Sequence, residues 1–306
     1  MEKDITFVSA FFDIHRGEWG DFSRSAEEYT RHFAFWAGMK NPLHIYTNAA
    51  MAKRIHDIRE EKGLADRTNV IVIDRIEDVV PEILGKMKKA MHLLNFSAMR
   101  INPESPESTD PQYNYLMFLK GWFLQDAVKN QGVNTPFLAW IDYGFSHGGD
   151  YYPQTEQLQF EWKTDLDPAK LHFFTLRPIP EVPIHQMICK MSTYIQGCAF
   201  LVPQNRVEWL YEKMGEAFDA LYRCGIVDDD QILYVMISRE YPEECDLHIC
   251  GWGECLKLFS SQQLYYVNVQ DALQGRYGKF LDWCRQRKIK RHMISRIKKI
   301  LDPLDW

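Results

Sequence analysis

Short apolar runs alternate with amphipathic stretches along the first third of the chain. Residues 5–12, 42–47 and 69–74 are apolar over the length of a strand, as in strands that are covered on both faces. The intervening segments 26–38 and 49–63 have the spacing of amphipathic helices. This alternation predicts right-handed crossovers onto a parallel sheet, whose ligands bind at the carboxyl ends of the strands.

A long helix and another buried strand come next. Asp110 as N-cap and Pro111 at the first helical position predict a helix that continues to Gly132. Residues 136–141 then form an apolar strand that ends at Asp142. An aspartate at the carboxyl end of a buried strand is well placed to hold a divalent cation. The alternative is a turn aspartate that caps the loop.

Three adjacent carboxylates mark the second half of the chain. A predicted strand over 193–202 and a helix over 207–221 precede them, and a helix over 232–239 follows. Acidic groups at a helix start favour the positive end of the helix dipole, which accounts for one or two of the three. A third carboxylate beside two like charges is expected to have a raised pKa that suits general-base catalysis. The three residues are Asp228, Asp229 and Asp230.

His248 lies three residues before Gly251. We expect it in a turn where glycine lets the backbone approach a ligand closely. A neutral imidazole and a carboxylate together suit Mn²⁺ or Mg²⁺ when substrate phosphates supply further oxygens. The alternative is a histidine whose ring is satisfied in the core or at the surface.

The composition is that of an ordered globular protein, since 46% of the 306 residues are hydrophobic and 25% are charged. The net charge of −6 argues against a dedicated nucleic-acid binder, so we expect no nucleic-acid partner. No apolar run approaches the ~20 residues of a membrane span, and the seven cysteines are an odd number without a signal-peptide pattern. We therefore expect a cytoplasmic protein whose cysteines are thiols.

The C-terminal segment combines positive charge with an apolar stripe. Residues 285–299 contain eight lysines and arginines and no acidic residue. The pattern predicts an amphipathic helix over 285–301 that binds the anionic inner face of the cytoplasmic membrane. We accordingly divide the chain into one domain, 1–284, and a basic tail, 285–306. The alternative is a helix that packs its stripe on the domain; the stripe is Ile289, Met293, Ile297 and Leu301.

Three of these segments together resemble the HtrL/YibB family, also called WlaTC-like. They are the opening residues 5–17, the strand end 140–144 and the acidic cluster 228–231, and the resemblance extends over residues 4–270. Genes of this family tend to lie among those for lipopolysaccharide and capsule synthesis, and some members are regarded as galactosyltransferases. The resemblance implies a GT-A-like α/β fold, Rossmann-related, with a mixed, mostly parallel sheet flanked by helices.

The resemblance also implies roles for individual residues. Asp142 takes the place of the first acid in the Asp-x-Asp motif of GT-A enzymes, whereas Gly144 replaces the second acid. His248 is similar to the histidine of a His-x-x-Gly element, so Asp142 and His248 are the implied ligands of Mn²⁺ or Mg²⁺. The implied base belongs to the acidic cluster, with Asp229 near the acceptor hydroxyl. Donor-binding groups are implied at Ala10, Phe11, Asp13, Arg16, Lys120, Gly144, Gly251 and Lys257.

The function that follows is a hexosyltransferase. We expect it to move a hexose, with galactose as the sugar that the family suggests, from a UDP-sugar to a bacterial surface glycan or its lipid-linked precursor. A base that takes the acceptor proton opposite the leaving diphosphate gives direct displacement with inversion, while retention stays open. One alternative is a catalytically inactive nucleotide- or glycan-binding protein, which the missing acid at Gly144 favours. Another is a membrane-docked scaffold that works through the basic tail.

Overall fold

The structure, a computed structural model, describes residues 2–19, 23–93 and 96–267. Its strands are β1 (Lys3–Phe11), β2 (Leu43–Thr47), β3 (Thr68–Val72), β4 (Phe137–Ile141), β5 (Lys163–Thr164), β6 (Leu171–Thr175), β7 (Ile195–Pro203) and β8 (Cys245–Ile249). Its α-helices are α1 (Ala26–Trp36), α2 (Ala49–Glu61), α3 (Pro81–Met91), α4 (Pro106–Thr109), α5 (Pro111–Lys129), α6 (Ile184–Lys190), α7 (Val207–Arg223), α8 (Asp230–Glu240) and α9 (Cys255–Leu258). The predicted boundary at residue 284 and the basic tail lie outside the described residues.

The strands form one mixed sheet in the order β3-β2-β1-β4-β7-β6-β8, with β5 paired to β1. Strands β1 to β4 are parallel to one another, as the alternation of the first third predicts. Strand β7 is antiparallel to both of its neighbours, β4 and β6, and the edge strand β8 is parallel to β6. The predicted class, a mixed and mostly parallel sheet flanked by helices, is confirmed.

Side chains of the strands alternate between two hydrophobic clusters, so helices cover both faces of the sheet. On one face Val8 belongs to a buried cluster with Phe118 of α5 and Met214 of α7. On the other face Phe7 belongs to a cluster with Trp36 of α1. The core is therefore split into two layers by the sheet, and both layers reach β1 and β4.

Polar caps begin the helices where the sequence predicts them. The side chains of Ser25 and Asn48 accept backbone N–H groups from the first turns of α1 and α2. Asp110 caps α5 in the same way, and Pro111 occupies its first position. Each cap satisfies a backbone donor that the helix itself leaves without a partner.

The longest described helix, α5, has 19 residues and lies against the sheet. Its buried surface includes Phe118, Leu119 and Phe123, and the side chain of Lys120 lies among them with 1% of its area exposed. A lysine on this buried surface needs anionic partners, which the candidate site supplies.

Among the helices of the described residues, none combines the length and the apolar character that crossing a bilayer demands.

The segment around His248 differs from the sequence prediction. Residues 245–249 form strand β8, which pairs with β6 in the register Phe174 to His248. The expected turn comes after the strand, at residues 251–254, where the backbone N–H of Glu254 donates to the carbonyl of Gly251. His248 therefore has the fixed orientation of a strand residue, and strand pairing rather than the glycine decides its neighbours.

Candidate active site

A cavity of about 310 Å³ opens at the carboxyl ends of the adjacent parallel strands β1 and β4. This is the edge at which the alternation of strands and helices predicts a ligand. Its lining includes six of the residues that the sequence analysis singles out: Ala10, Phe11, Asp13, Arg16, Asp142 and Gly144. Residues from two distant segments of the chain thus meet at one site.

Aromatic rings form one wall of this cavity. The rings of Phe11 and Tyr143 are stacked with their centroids 4.5 Å apart, and Tyr143 stacks in turn on Phe33 at 4.7 Å. Tyr29 of α1 lies against Phe11 with a centroid distance of 5.5 Å. Such a wall offers flat apolar surface to a planar ligand group such as a nucleobase.

Two arginines bring positive charge to the same cavity. Arg16 follows β1, and its Nη1 donates a hydrogen bond of 2.6 Å to Tyr29 Oη. Its guanidinium carbon also lies within 6 Å of the ring centroids of Trp19 and Tyr113. The second arginine, Arg24, lines the cavity as well. Guanidinium groups match the geometry of phosphate oxygens, so this side of the cavity suits a phosphorylated ligand.

Asp142 lies where β4 ends, at the boundary between the cavity and the protein interior. Its Oδ1 accepts a hydrogen bond of 2.6 Å from Trp140 Nε1 and is 3.2 Å from Lys120 Nζ. Its backbone N–H donates to the carbonyl of Cys198 on β7. The side chain of Asp142 is 35% exposed, whereas that of Lys120 is 1% exposed. The carboxylate is thereby held in a fixed orientation while part of it faces the cavity.

Lys120 links Asp142 to the buried acidic cluster. Its Nζ is 2.9 Å from Asp230 Oδ2 and donates a hydrogen bond of 2.9 Å to the carbonyl of Gly197. Burial by itself would lower the pKa of Lys120, but the carboxylates of Asp142 and Asp230 outweigh it and raise the pKa. A Cβ atom at Gly197 would lie 2.9 Å from Asp230 Oδ2, so glycine lets this carboxylate approach β7.

All three carboxylates of the acidic cluster are buried. Asp229 is the N-cap of α8 and accepts the backbone N–H of Gln231, while Asp228 Oδ1 is 3.2 Å from Arg100 Nη1. Burial raises the pKa of Asp228 to about 6. Burial, and then the charges of Asp228 and Asp230, raise the pKa of Asp229 well above its usual range. Asp229 thus combines a raised pKa with the N-cap position of α8.

Several residues with implied donor-binding roles do not line the cavity. Lys120 is buried beneath Asp142, so it acts on a ligand only through that carboxylate. The backbone N–H of Gly251 donates to Glu254, and Lys257 pairs with Glu254 at 3.5 Å. Trp252, which follows Gly251, does line the cavity. Of these two neighbours, it is Trp252 and not Gly251 that lines the cavity.

The two implied metal ligands are not brought together. His248 Nε2 lies 3.0 Å from His172 Nδ1 on β6, and β8 is three strands away from β4. With neighbouring strands about 4.8 Å apart, His248 and Asp142 are separated by roughly 14 Å across the sheet. A single ion cannot be bound by both side chains at that distance, so the expected pairing of Asp142 with His248 is corrected.

Of the side chains that can bind a cation, the cavity lining contains the carboxylates of Asp13 and Asp142, the imidazole of His147 and the thiol of Cys198, and Oδ1 of Asp142 is paired with Lys120. Within the described residues, groups with the spacing of metal ligands occur elsewhere, at His172, Asp246 and His248 and on the exposed face of α2. The chain thus has a possible His/Asp cation site, but away from the cavity.

The sequence analysis missed much of the cavity lining, including four residues with basic or aromatic side chains. They belong to segments without a recognisable motif: Arg24 and Tyr29 lie near the start of α1, Tyr113 lies in the first turn of α5, and His147 lies in the loop after β4. The only signal in the sequence is the density of aromatic and basic residues just after the first strand. That density does not indicate which side chains face the cavity.

The fold and the cavity define an α/β protein with a ligand cleft at the carboxyl edge of its sheet. The chain belongs to the HtrL_YibB family, described as bacterial proteins of unknown function, whose family model matches residues 3–261. It is 30% identical over 273 residues to Protein HtrL of Escherichia coli (strain K12), covering 85% of this chain and 92% of that protein. The resemblance identified from the sequence is confirmed.

Two solved structures are also similar to this chain. Mouse xyloside xylosyltransferase 1, in its apo form, has a TM-score of 0.44 and 12% identity, over 87% of this chain and 97% of that chain. The PaToxG glycosyltransferase has a TM-score of 0.36 and 9% identity, over 79% of this chain and 71% of that chain.

Proposed function

We propose that this protein is a glycosyltransferase that moves a hexose from a UDP-sugar to a bacterial surface glycan or its lipid-linked precursor. The observation that supports the proposal most is one cavity with an aromatic wall, two arginines and a lysine-paired carboxylate. These are the groups that a nucleobase, a diphosphate and a sugar hydroxyl respectively would contact. Galactose is the first hexose to test, because members of the family suggest it.

In this proposal the two arginines carry the charge of the diphosphate. Arg16 and Arg24 both line the cavity, and the leaving UDP develops negative charge as the bond between the anomeric carbon of the sugar and the diphosphate oxygen breaks. Asp142, oriented by Trp140 and Lys120, accepts hydrogen bonds from hydroxyl groups of the donor sugar. No step in this scheme is assigned to Mn²⁺ or Mg²⁺, since His248 lies apart from Asp142.

We assign the acceptor base to the acidic cluster, and within it to Asp229, although none of the three carboxylates is among the residues that line the cavity. Arg100 pairs with Asp228 and Lys120 pairs with Asp230, so both of these carboxylates are matched by cations. Burial and the charges of its neighbours raise the pKa of Asp229, and a higher pKa makes a carboxylate a stronger base. The base takes the acceptor hydroxyl proton as the acceptor oxygen attacks the anomeric carbon and UDP departs. Direct displacement then inverts the configuration of that carbon.

A second candidate function is a binding protein without catalysis. Asp229 caps α8 and is buried, which is what a purely structural carboxylate would do. The two candidates predict the same nucleotide binding but differ in turnover. Release of UDP from a donor in the presence of bacterial glycolipid extract, followed by NMR of the product's anomeric proton, separates them and reports inversion or retention.

The first experiment is a calorimetric titration with UDP and a panel of UDP-hexoses. Asp142→Asn is expected to weaken binding of the preferred UDP-hexose at least tenfold, because the amide cannot serve as an anionic acceptor. Asp57→Asn is the matched control, since Asp57 is also lysine-paired and its side chain is also 35% exposed, but on α2. Equal affinity of the wild type and Asp142→Asn for the preferred UDP-hexose, or no binding at millimolar UDP, would contradict the proposal.

The same titration in Mn²⁺ and in EDTA tests the divalent ion that the resemblance implies. If Arg16 and Arg24 carry the diphosphate, affinity for UDP is the same within threefold in both buffers. A large gain in Mn²⁺ that Asp142→Asn abolishes would mean that the ion binds at Asp142 after all.

We further propose that the basic segment 285–301 holds the enzyme on anionic bilayers near a lipid-linked acceptor. Its attraction to phosphatidylglycerol vesicles is expected at low salt and lost at 1 M salt, where the Debye length falls to ~3 Å. A chain that ends at Cys284 stays in the supernatant and still binds UDP. Full-length protein that ignores such vesicles at low salt would mean that the stripe packs on the domain.

A further inference from the structure

Three potential metal ligands converge on one face of strands β6 and β8, at the edge of the sheet opposite β3. In the parallel register His172 is the direct partner of Asp246, and His248 lies two residues further along the same strand. Side chains two residues apart on a strand share a face, so strand pairing alone places all three together. Their ligand atoms lie within 4.8 Å of one another.

The hydrogen bonds of His172 show which of its two ring nitrogens is free to bind a metal ion. Its Nε2 lies 2.8 Å from the carbonyl oxygen of Asp167, which can only accept, so Nε2 carries the proton. The lone pair of the neutral ring is therefore on Nδ1, which is the atom that faces His248 Nε2 at 3.0 Å. This arrangement of a ring N–H bound to a backbone carbonyl is the one that orients metal-binding histidines.

The two carboxylate oxygens of Asp246 have different neighbours, which orient the side chain. Oδ1 is 3.1 Å from Lys170 Nζ, while Oδ2 is 3.8 Å from His172 Nδ1. His172 is fully buried, and the side chain of Asp246 is 35% exposed, so the cluster has a rigid inner ligand and an outer side open to solvent. Phe259 packs on the His248 ring with a centroid distance of 4.6 Å and limits its rotation.

We propose that this cluster binds a divalent transition ion of the zinc class through His172 Nδ1, His248 Nε2 and Asp246 Oδ2. Two imidazole nitrogens and one carboxylate oxygen favour Zn²⁺ over Mg²⁺ or Ca²⁺, which prefer all-oxygen sites. Zinc–nitrogen bonds of about 2.0–2.1 Å place two nitrogens on one ion roughly 3 Å apart, close to the observed separation. When the ion binds, the single ring proton of His248 resides on Nδ1. Water fills the remaining coordination position.

The ion would tie the edge strand β8 to its neighbour β6. Strand β8 leads directly into the turn whose Gly251 carbonyl accepts from Gln196 Nε2 and whose next residue, Trp252, lines the cavity. A crosslink between the two strands therefore stabilises the segment that carries this cavity residue. The site does not depend on the proposed transferase activity, since none of its ligands lines the cavity.

The test is a Zn²⁺ titration of the full chain with a competing chelating dye, followed by Co²⁺ absorption spectra. Wild-type protein is expected to bind one equivalent of Zn²⁺, with an increase in Tm. Asp246→Asn and His248→Gln each lower the affinity at least tenfold. His56→Gln is the matched control, because His56 belongs to the exposed His/Asp/Glu group on α2, and it should bind Zn²⁺ as the wild type does.

Co²⁺ spectra show whether the ion is bound by nitrogen and oxygen or by a thiolate, since Cys250 lies two residues after His248. A d–d spectrum without a thiolate charge-transfer band supports the site. A thiolate band, or unchanged Zn²⁺ affinity in Asp246→Asn, would overturn it. Circular dichroism shows whether each variant is folded. If His248→Gln unfolds, the Zn²⁺ affinity of Asp246→Asn tests the site by itself, because the side chain of Asp246 is 35% exposed.

Discussion

Asp142 and Asp230 pair with the same lysine from opposite sides but have different surroundings. Asp142 pairs at 3.2 Å from the end of β4, where 35% of its side chain is exposed to the cavity. Asp230 pairs at 2.9 Å from the start of α8, where 1% of its side chain is exposed, and burial raises its pKa. The ammonium group of Lys120 thus pairs both with Asp142, which is accessible from the cavity, and with Asp230, which is not.

Because of this difference, we expect Asp142 to contact a ligand and Asp230 to position Lys120. A ligand in the cavity reaches Asp142 directly, while Asp230 acts only by holding Lys120 in place beside it. Variants on the buried side are therefore expected to change the free energy of unfolding, whereas variants on the cavity side change ligand affinity.

The largest effect is expected on the buried side, for Lys120→Met. Methionine keeps the apolar stem but leaves the Asp230 carboxylate buried without its cation, which costs about 3–5 kcal/mol of unfolding free energy. Urea denaturation followed by circular dichroism measures it. Lys129→Met is the control on the same helix, because Lys129 pairs with Glu208 at the surface, and its effect should stay below about 1 kcal/mol. Equal effects of the two variants would mean that Lys120 is not held by its carboxylates.

The next effect concerns turnover and uses Asp229→Asn. Asparagine is as good an N-cap as aspartate, so α8 keeps its start, but the amide cannot take a proton. Release of UDP from the donor in the presence of acceptor should fall at least 100-fold, which is about 2.7 kcal/mol in the activation barrier. Donor affinity in the calorimeter should not change. Retained turnover would assign Asp229 to capping alone.

The same variant makes a prediction about stability and pH. Because burial raises the pKa of Asp229, the folded protein holds this proton more tightly than the unfolded chain does. The unfolding free energy of the wild type relative to Asp229→Asn should therefore fall as the pH rises above the ordinary aspartate pKa of 3.8. Below that pH both side chains are neutral, so the difference no longer depends on pH. Denaturation over a pH series measures it, and a difference that stays constant or grows in favour of the wild type as the pH rises would contradict it.

Local patterns in the sequence were sufficient to predict most of the elements that surround the cavity. The apolar run 5–12 and the Asp110 cap correspond to β1 and α5, because both depend on residues close together in the chain. The acidic residue after β4 was found for the same reason. Because the order of these strands and helices predicted a parallel sheet, it also predicted that the cavity would lie at the carboxyl ends of the strands.

Contacts between distant residues were not predictable in this way. Strand β6 was not predicted, so nothing indicated that His248 would pair beside His172. Lys120 was expected at the donor, although it lies between Leu116 and Phe123 at helical spacing and so belongs to an apolar face. That spacing was the available signal of a buried lysine with anionic partners. The partners themselves come from β4 and α8, which only the folded chain brings together.

An intermediate effect is expected for Gly197→Ala on the buried side. The added Cβ would lie 2.9 Å from Asp230 Oδ2, so the carboxylate must move away from Lys120. We expect a loss of about 1–3 kcal/mol in the free energy of unfolding, measured with urea. Gly215→Ala on α7 is the matched control, because its Cβ meets nothing within 4 Å, and it should gain up to about 1 kcal/mol. A neutral Gly197→Ala would show that Asp230 is not confined.

The smallest effect belongs to the cavity side, for Tyr29→Phe. The variant removes the hydroxyl that accepts from Arg16 Nη1 at 2.6 Å but keeps the ring against Phe11. Arg16 is then less well oriented toward a diphosphate, and UDP affinity should fall two- to tenfold, or about 0.5–1.5 kcal/mol. Calorimetry measures the affinity, with Tyr265→Phe as the control because that side chain is 61% exposed. The free energy of unfolding should change by less than about 0.5 kcal/mol, since the ring packing is kept. If UDP affinity stays constant while stability falls, Tyr29 supports the fold and Arg16 does not meet the phosphates.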